Sequence, residues 1–307
     1  MKIIVFFVIF FFSIIIKIPA STDENRILLK VNNELITTID VLNEINYLKS
    51  INRNINNLEN QKIIEIARNS LIKDRIKKIT LLSIVEKIEI NDDDFNRILI
   101  SNYSNTGLTK IEEIYEHLKK YDVKPNFVRN KMTINAIWSQ LIYEKYSKNI
   151  KIDKNVLKQD IEKNENQTEY LLSEIVFELE EEQTINEKFN IIKKAIQENG
   201  FENTALIYSI SRTSTSGGDI GWVSETSIDK KILKEITKIN VNDLTKPLVI
   251  PGGYLILKLK EKKITKKIIN FEDELKRIIE IKTNEQLNQF SNIFLNKIKK
   301  DIIINEL

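Results

Sequence analysis

Apolar and polar residues follow several patterns along the chain, and the first is a continuous apolar run. Lys2 precedes an almost unbroken apolar run over residues 3–16, and the polar sequence begins after Ala20. A run of about 14 residues is shorter than the ~20 needed to cross a bilayer, and behind a basic residue it is typical of a secretory signal peptide. We expect residues 1–20 to be cleaved off. The alternative is an uncleaved membrane anchor, which Ile18 favours because a small residue is usual at that position.

Residues 21–166 place apolar side chains mainly at helical spacing. Two short apolar runs, 27–31 and 35–37, predict a hairpin, and Thr38 is expected to cap the first helix. Thr109–Glu112 has the spacing of a capping box at the start of a later helix. The pattern predicts a mainly helical domain. Four helices are expected at 38–50, 58–85, 127–146 and 152–165. Between the second and third of these, one helix is expected to begin at 92–94 and another to end at 121.

Residues 167–263 have a different texture, in which short apolar runs alternate with short amphipathic segments. The run at 170–177 predicts a strand, and 248–250 with 254–259 predicts a hairpin around Pro251-Gly252-Gly253. Helical spacing recurs at 184–198, 201–209 and 230–236. We therefore predict a compact α+β domain with a small, mostly antiparallel sheet.

Residues 264–307 contain a long helix, predicted at 270–299, and an apolar strand at 302–304. This strand has no neighbour in sequence with which to pair, and unpaired backbone groups are costly. We expect it to pair with residues 27–31. The predicted fold class is therefore α+β: a mainly helical domain completed by the C-terminal helix and strand, with an inserted α+β domain.

Glycine is concentrated in one stretch, Ser216–Trp222, which holds three of only 7 glycines and one of 2 tryptophans. Glycine reaches positive φ without steric cost, so Gly217-Gly218 predicts a tight reversal. Gly221 is expected to mark a close backbone approach that leads into a strand. A glycine cluster alone is weak evidence of function.

Composition excludes several kinds of chemistry. Cysteine is absent and His117 is the only histidine, so disulfides, thiolate nucleophiles and multi-histidine metal sites are excluded. Asp92-Asp93-Asp94 is interpreted as an acidic helix start, and His117 as a solvated helix residue. Net charge is +3, and without Lys2 and Lys17 the 45 remaining basic residues nearly balance 44 acidic ones, so no nucleic-acid partner is indicated. No metal or cofactor is implied.

An ordered set of short motifs resembles the SurA family of periplasmic chaperones, which carry parvulin-type peptidyl-prolyl isomerase domains. The resemblance covers nearly all of the chain after the signal peptide, with one such domain at 167–263. Its motifs are Val31–Ile36 with Asp40-Val41, Asn69–Ile76, Tyr170–Val176, Tyr208-Ser209, Gly217–Trp222, Lys246–Leu248 and Gly252–Lys258.

The resemblance also implies site residues, and these depart from the family's pattern. Glu174 and Tyr254 stand where the family has two histidines, and Ser211 replaces a Cys or Asp; these three are the candidate catalytic residues. Ile228 and Ile232 stand where the family's pocket has Met and Phe, and are the candidate substrate-binding residues. Glu174 and Tyr254 are expected to hydrogen-bond across the site beside Ser211. The alternative is that they form a buried polar pair with a structural role only.

The resemblance implies a periplasmic, ATP-independent chaperone for unfolded outer-membrane proteins, which also binds proline-containing extended peptides. We expect its isomerase activity to be weak or lost, because the two-histidine core is replaced. The alternative is an active prolyl isomerase for exported proteins. A third possibility, a membrane-tethered foldase, requires residues 1–20 to persist; after cleavage, no stable membrane span is expected.

Overall fold

The structure, a computed structural model, describes residues 25–163, 166–266 and 271–307. The predicted signal peptide lies outside the described residues. Two 3₁₀ helices, Arg53–Asn57 and Arg212–Ser216, also belong to the fold. The helices and strands, in chain order, are β1 (Ile27–Val31), β2 (Glu34–Thr37), α1 (Thr38–Ile51), α2 (Asn60–Leu82), α3 (Asp92–Tyr103), α4 (Ile111–Lys120), α5 (Pro125–Tyr146), α6 (Lys154–Lys163), β3 (Asn166–Phe177), α7 (Ile185–Asn199), α8 (Phe201–Tyr208), β4 (Asp219–Ser224), α9 (Lys230–Ile236), β5 (Leu248–Ile250), β6 (Gly253–Lys266), α10 (Phe271–Lys299) and β7 (Ile304–Glu306).

The two ends of the described chain meet in a three-stranded antiparallel sheet of order β2-β1-β7. Val31 pairs with Ile304, and the Leu307 amide donates to the Leu28 carbonyl at 3.1 Å. The predicted pairing of the terminal strands is therefore confirmed. The last strand begins at Ile304, two residues later than predicted, because the chain first turns after α10. Before the strand begins, the Asn32 amide donates to the Ile303 carbonyl at 2.9 Å.

The helical part has one main apolar core, to which β1 and α1 to α5 contribute. α10 packs along α5: the ring of Trp138 stacks on Phe294 with centroids 5.5 Å apart, and its Nε1 donates to Ser291 Oγ at 2.8 Å. Within the described ranges, no helix has both the length and the apolar character that a bilayer crossing needs.

The helix starts correct two details of the prediction. Thr37, not Thr38, caps α1, and with Asp40 it forms a reciprocal capping box. The capping box predicted at Thr109–Glu112 is wrong: α4 begins after Lys110, so Thr109 lies outside the helix and makes no cap. The acidic start of α3 is confirmed, with Asn91 accepting from the Asp94 amide at 2.8 Å.

Three charged side chains of the helical part are buried together. Lys131 of α5 donates to Glu44 of α1 at 3.0 Å and to Asp74 of α2 at 2.5 Å, and it also reaches Ser70 Oγ at 3.1 Å. Glu44 is 0% exposed. We call Lys131, Glu44 and Asp74 the buried triad; it ties three helices to one another.

The insert is built on a four-stranded antiparallel sheet of order β4-β3-β6-β5. β3 and β6 pair from Asn166 with Lys266 to Phe177 with Tyr254, so both strands run further than predicted. The sheet is apolar on both faces. One face packs on α9, through residues that include Leu172, Val176, Ile236 and Leu257. The other packs on α7 and α8, through Ile175, Phe177, Ile192, Phe201 and Ile256.

Candidate functional site

The glycine reversal fixes the backbone of β3 at Glu174. Gly217 and Gly218 have φ of 69° and 77°, and the Glu174 amide donates to the Gly218 carbonyl at 2.8 Å. A Cβ on Gly218 would lie 2.2 Å from the Glu174 carbonyl oxygen, so only glycine fits. The close approach predicted for Gly221 is therefore made by Gly218. Gly221 is in open space, beside a register shift in the β3–β4 pairing.

A small polar cluster surrounds the Glu174 carboxylate. Its Oε1 accepts from Ser211 Oγ at 2.5 Å and from Thr213 Oγ1 at 2.8 Å, and the two hydroxyls are 3.1 Å apart. Ser211 also caps the 3₁₀ helix that follows it, which fixes both hydroxyls over β3. We call Glu174, Ser211 and Thr213 the hydroxyl–carboxylate cluster. It unites two of the three predicted catalytic residues.

Both predicted substrate-binding residues lie on the same face of the sheet as Glu174. Ile228 is 9% exposed and belongs to the apolar cluster between the sheet and α9, and Ile232 of α9 packs against that cluster. Leu172 and Val176 flank Glu174 along β3 in the same cluster. The site therefore joins an apolar floor to a polar edge.

Tyr254 lies elsewhere. It pairs with Phe177 across the strands, and their rings stack with centroids 5.6 Å apart in the cluster against α7 and α8. Glu174 pairs with Leu257, whose side chain is in the opposite cluster. Among the described residues, Glu174 and Tyr254 thus face opposite sides of the sheet. The expected hydrogen bond between them is therefore not formed, and they do not form a buried polar pair.

His117, the single histidine, lies in the helical part. Its Nε2 is 2.7 Å from the Ser50 carbonyl oxygen, and its ring packs against Tyr103 and Tyr121. It lies on α4 as predicted, but the side chain is half-buried rather than solvated. The site on the insert therefore has no histidine to act as a proton donor or acceptor.

Two contributions to the site were not predicted from the sequence. Thr213 is one; its position two residues after a capping serine was the available signal, because a 3₁₀ turn brings such hydroxyls together. The other is α10. Lys282 Nζ donates to the Ser227 carbonyl at 2.6 Å, Arg212 donates to Asn288 Oδ1 at 3.3 Å, and Gly252 lies against Ile293.

α10 therefore presents one side to the insert and packs its other side on α5. Between the Lys282 and Asn288 contacts lies Glu285. Desolvation by the surrounding protein raises the pKa of the Glu285 carboxyl to about 7; Lys282 opposes this rise, and Glu174 and Asp229 add to it. The tail helix thus brings a further carboxyl group to the site. Among the described residues, no set of three or more His, Asp and Glu side chains is placed to hold a metal.

The insert matches a known protein family. The model of the PPIC-type PPIASE domain (Rotamase) family matches residues 156–261. The match begins inside α6, earlier than the predicted boundary at 167, and the domain boundaries stay predictions.

Two curated relatives are chaperones named SurA. The chain is 24% identical over 203 residues to Chaperone SurA of Pseudomonas aeruginosa, which covers 62% of this chain and 48% of the relative. It is 22% identical over 236 residues to Chaperone SurA of Pseudomonas putida, covering 72% and 55%. The chain thus spans about half the length of these relatives.

One similar solved structure comes from work on two SurA-like chaperones of Campylobacter jejuni. The aligned region covers 92% of this chain and 99% of the solved structure's chain, at 18% sequence identity and with a TM-score of 0.34. A score of this size does not support a shared arrangement of the whole chain.

Proposed function

We propose that this chain, a SurA-like protein with a parvulin-type domain, is a periplasmic, ATP-independent chaperone for unfolded outer-membrane proteins. In this proposal its insert binds proline-containing segments and turns them over slowly or not at all. The SurA relatives support the chaperone role. The observation that carries the second part is the hydroxyl–carboxylate cluster beside the apolar floor.

The apolar floor suits a proline ring. Rotation about a prolyl amide meets a barrier of ~18–20 kcal/mol and requires no bond to be made or broken. A dry apolar seat beside Ile228 and Ile232 favours binding of the ring, and a polar group that donates to the twisted amide lowers the barrier. Rapid isomerisation at this site therefore requires a free hydrogen-bond donor.

The cluster lacks such a donor. Each hydroxyl has one hydrogen. Ser211 donates to Glu174, and Thr213 is engaged by Glu174 and Ser211. A carboxylate can only accept, and the histidine that could have exchanged protons lies in the helical part. This arrangement supports the proposal that proline is bound without rapid turnover.

The chaperone role requires apolar surface that a client can reach. Ile39 and Leu42 of α1 are one helical turn apart and are 42% and 53% exposed, and Tyr143 of α5 is 54% exposed. Exposed apolar side chains on one helix face are a means of shielding extended segments. We propose that the helical part and α10 supply this surface.

Two measurements on the full chain separate the chaperone from the enzyme. The first is suppression of aggregation of an unfolded outer-membrane barrel protein. The second is exchange spectroscopy on a proline-containing peptide, with Ile232→Ala as the site variant. Ile191→Ala is the matched control, because Ile191 is 42% exposed on α7, across the sheet from the site.

We expect suppressed aggregation, peptide binding that Ile232→Ala weakens, and an exchange rate close to the uncatalysed one. A rate well above the uncatalysed one, lost in Ile232→Ala but kept in Ile191→Ala, would instead establish the second candidate, an active isomerase that uses the apolar floor as its proline seat. Absence of both activities would refute the proposal.

A further inference from the structure

The tail helix places Glu285 over the gap between the two halves of the site. Lys282 contacts the carbonyl of Ser227, the residue before Ile228, and Asn288 contacts Arg212, the residue after Ser211. Residues three apart on a helix share a face, so Glu285 points to the same side as its two neighbours. The helix therefore presents Glu285 to the insert between the contacts that Lys282 makes with Ser227 and Asn288 makes with Arg212.

Three carboxyl groups approach this part of the site: Glu174 from β3, Asp229 at the start of α9 and Glu285 from α10. Lys230 and Lys231 follow Asp229 in sequence. Two further cations, Lys282 and Arg212, donate to neutral oxygens, of a carbonyl and of a side-chain amide. The donors of Ser211 and Thr213 balance part of the Glu174 charge without adding a positive one.

We propose that Glu285 is a specificity-determining residue of this site, and that it favours segments with Lys or Arg directly before the proline. The inference rests on the proposed binding of prolyl segments by the insert. A cation in that position would sit beside the carboxylates of β3, α9 and α10. Desolvation raises the pKa of Glu285, Lys282 opposes the rise, and Glu174 and Asp229 add to it, which agrees with the three carboxyl groups lying near one another.

The test uses three peptides, acetyl-Ala-X-Pro-Phe-amide with X as Lys, Gln or Glu, titrated into the full chain by calorimetry at low salt. We expect the Lys peptide to bind about 2- to 5-fold more tightly than the Gln peptide, since ion pairs at exposed sites are weak, and the Glu peptide to bind least. Glu285→Gln should remove most of this preference. Glu280→Gln, an exposed carboxylate on the same helix, is the matched control and should keep it.

The preference should also fall as salt is added and grow between pH 6 and pH 8, as Glu285 ionises. Equal binding of all three peptides, or a preference that survives Glu285→Gln, would overturn this inference and leave the binding of prolyl segments intact. Failure of every peptide to bind would overturn the proposed function, and the inference with it.

Discussion

The helical part and the insert each hold a carboxylate away from bulk solvent, but they hold it differently. In the helical part, Glu44 is fully buried and faces the ammonium group of Lys131. In the insert, Glu174 is half-buried and faces two hydroxyls. The charge of Glu44 is therefore buried and compensated by a cation. The charge of Glu174 is held in position by hydroxyls, which do not compensate it.

We interpret this difference as one between a structural cluster and the proposed binding cluster. Burial alone would lower the pKa of Lys131, but Asp74 and Glu44 outweigh it and raise that pKa, so the lysine stays charged among its partners. The triad is closed to ligands. Hydroxyls orient Glu174 without cancelling its charge, and this half-buried carboxylate lies on the same sheet face as the apolar floor.

The largest effect should come from breaking the buried triad. Lys131→Met leaves Glu44 and Asp74 buried without their cation, and the loss of one partner of a buried ion pair costs about 3–5 kcal/mol. Urea denaturation followed by circular dichroism should show this loss. Lys120→Met, at an exposed position on α4, is the control and should change stability little. A loss below ~1 kcal/mol in Lys131→Met would mean that the triad is solvated.

The second effect concerns the glycine reversal that positions Glu174. Gly218→Ala and Gly221→Ala both force a side chain to positive φ, which costs about 1–2 kcal/mol, but only the first meets the Glu174 carbonyl. We expect Gly218→Ala to cost on the order of 1–3 kcal/mol more than Gly221→Ala and to abolish peptide binding. Equal losses in the two variants would show that the close approach does not shape the site.

The third effect concerns the hydroxyls. Ser211→Ala combined with Thr213→Val removes both donors to Glu174, and hydrogen bonds to a charged group are worth about 1.5–3 kcal/mol when buried. Glu174 is half-buried, so we expect about 1–2 kcal/mol for the pair. Ser214→Ala with Thr215→Val, in the same 3₁₀ helix, is the matched control. Peptide binding should weaken in the first double variant only, because Glu174 loses its orientation.

The parts of the fold that could be predicted from the sequence depend on local pattern or on a strand that lacks a local pairing partner. An apolar strand at the C-terminus had no local partner, which pointed to β1 at the other end. The reversal at Gly217-Gly218 followed from backbone freedom alone. The resemblance to the family predicted Ser211 beside Glu174, and the two side chains are hydrogen-bonded.

The parts that it missed depend on register and on long-range packing. Tyr254 lies on the wrong face because a strand sends successive side chains to opposite sides, and the family's motif does not state the register of β6 against β3. Lys131, Glu44 and Asp74 look like surface charges in a chain rich in Lys and Glu. Glu285 lies more than a hundred residues from Glu174 in sequence, and only the docking of α10 brings it to the site.

The smallest predicted effect sharpens the comparison through pH. The pKa of Glu285 is about 7 in the folded chain against an ordinary 4.5, so the folded state keeps its proton longer than the unfolded state. Stability from this residue is therefore complete below pH 4.5 and is lost as pH rises to about 7.

Glu285→Gln removes the ionisation and should stabilise the chain relative to the unmutated protein at pH 8 but not at pH 4. The gain should stay below about 1 kcal/mol, because the side chain, although partly desolvated by its neighbours, keeps enough exposure for solvent to screen its charge. Thermal unfolding at the two pH values, with Glu280→Gln as control, measures it. A gain that is the same at both pH values would show that the charges of Glu174 and Asp229 do not act on Glu285. The contrast between a compensated cluster and a charged one would then rest on Glu174 alone.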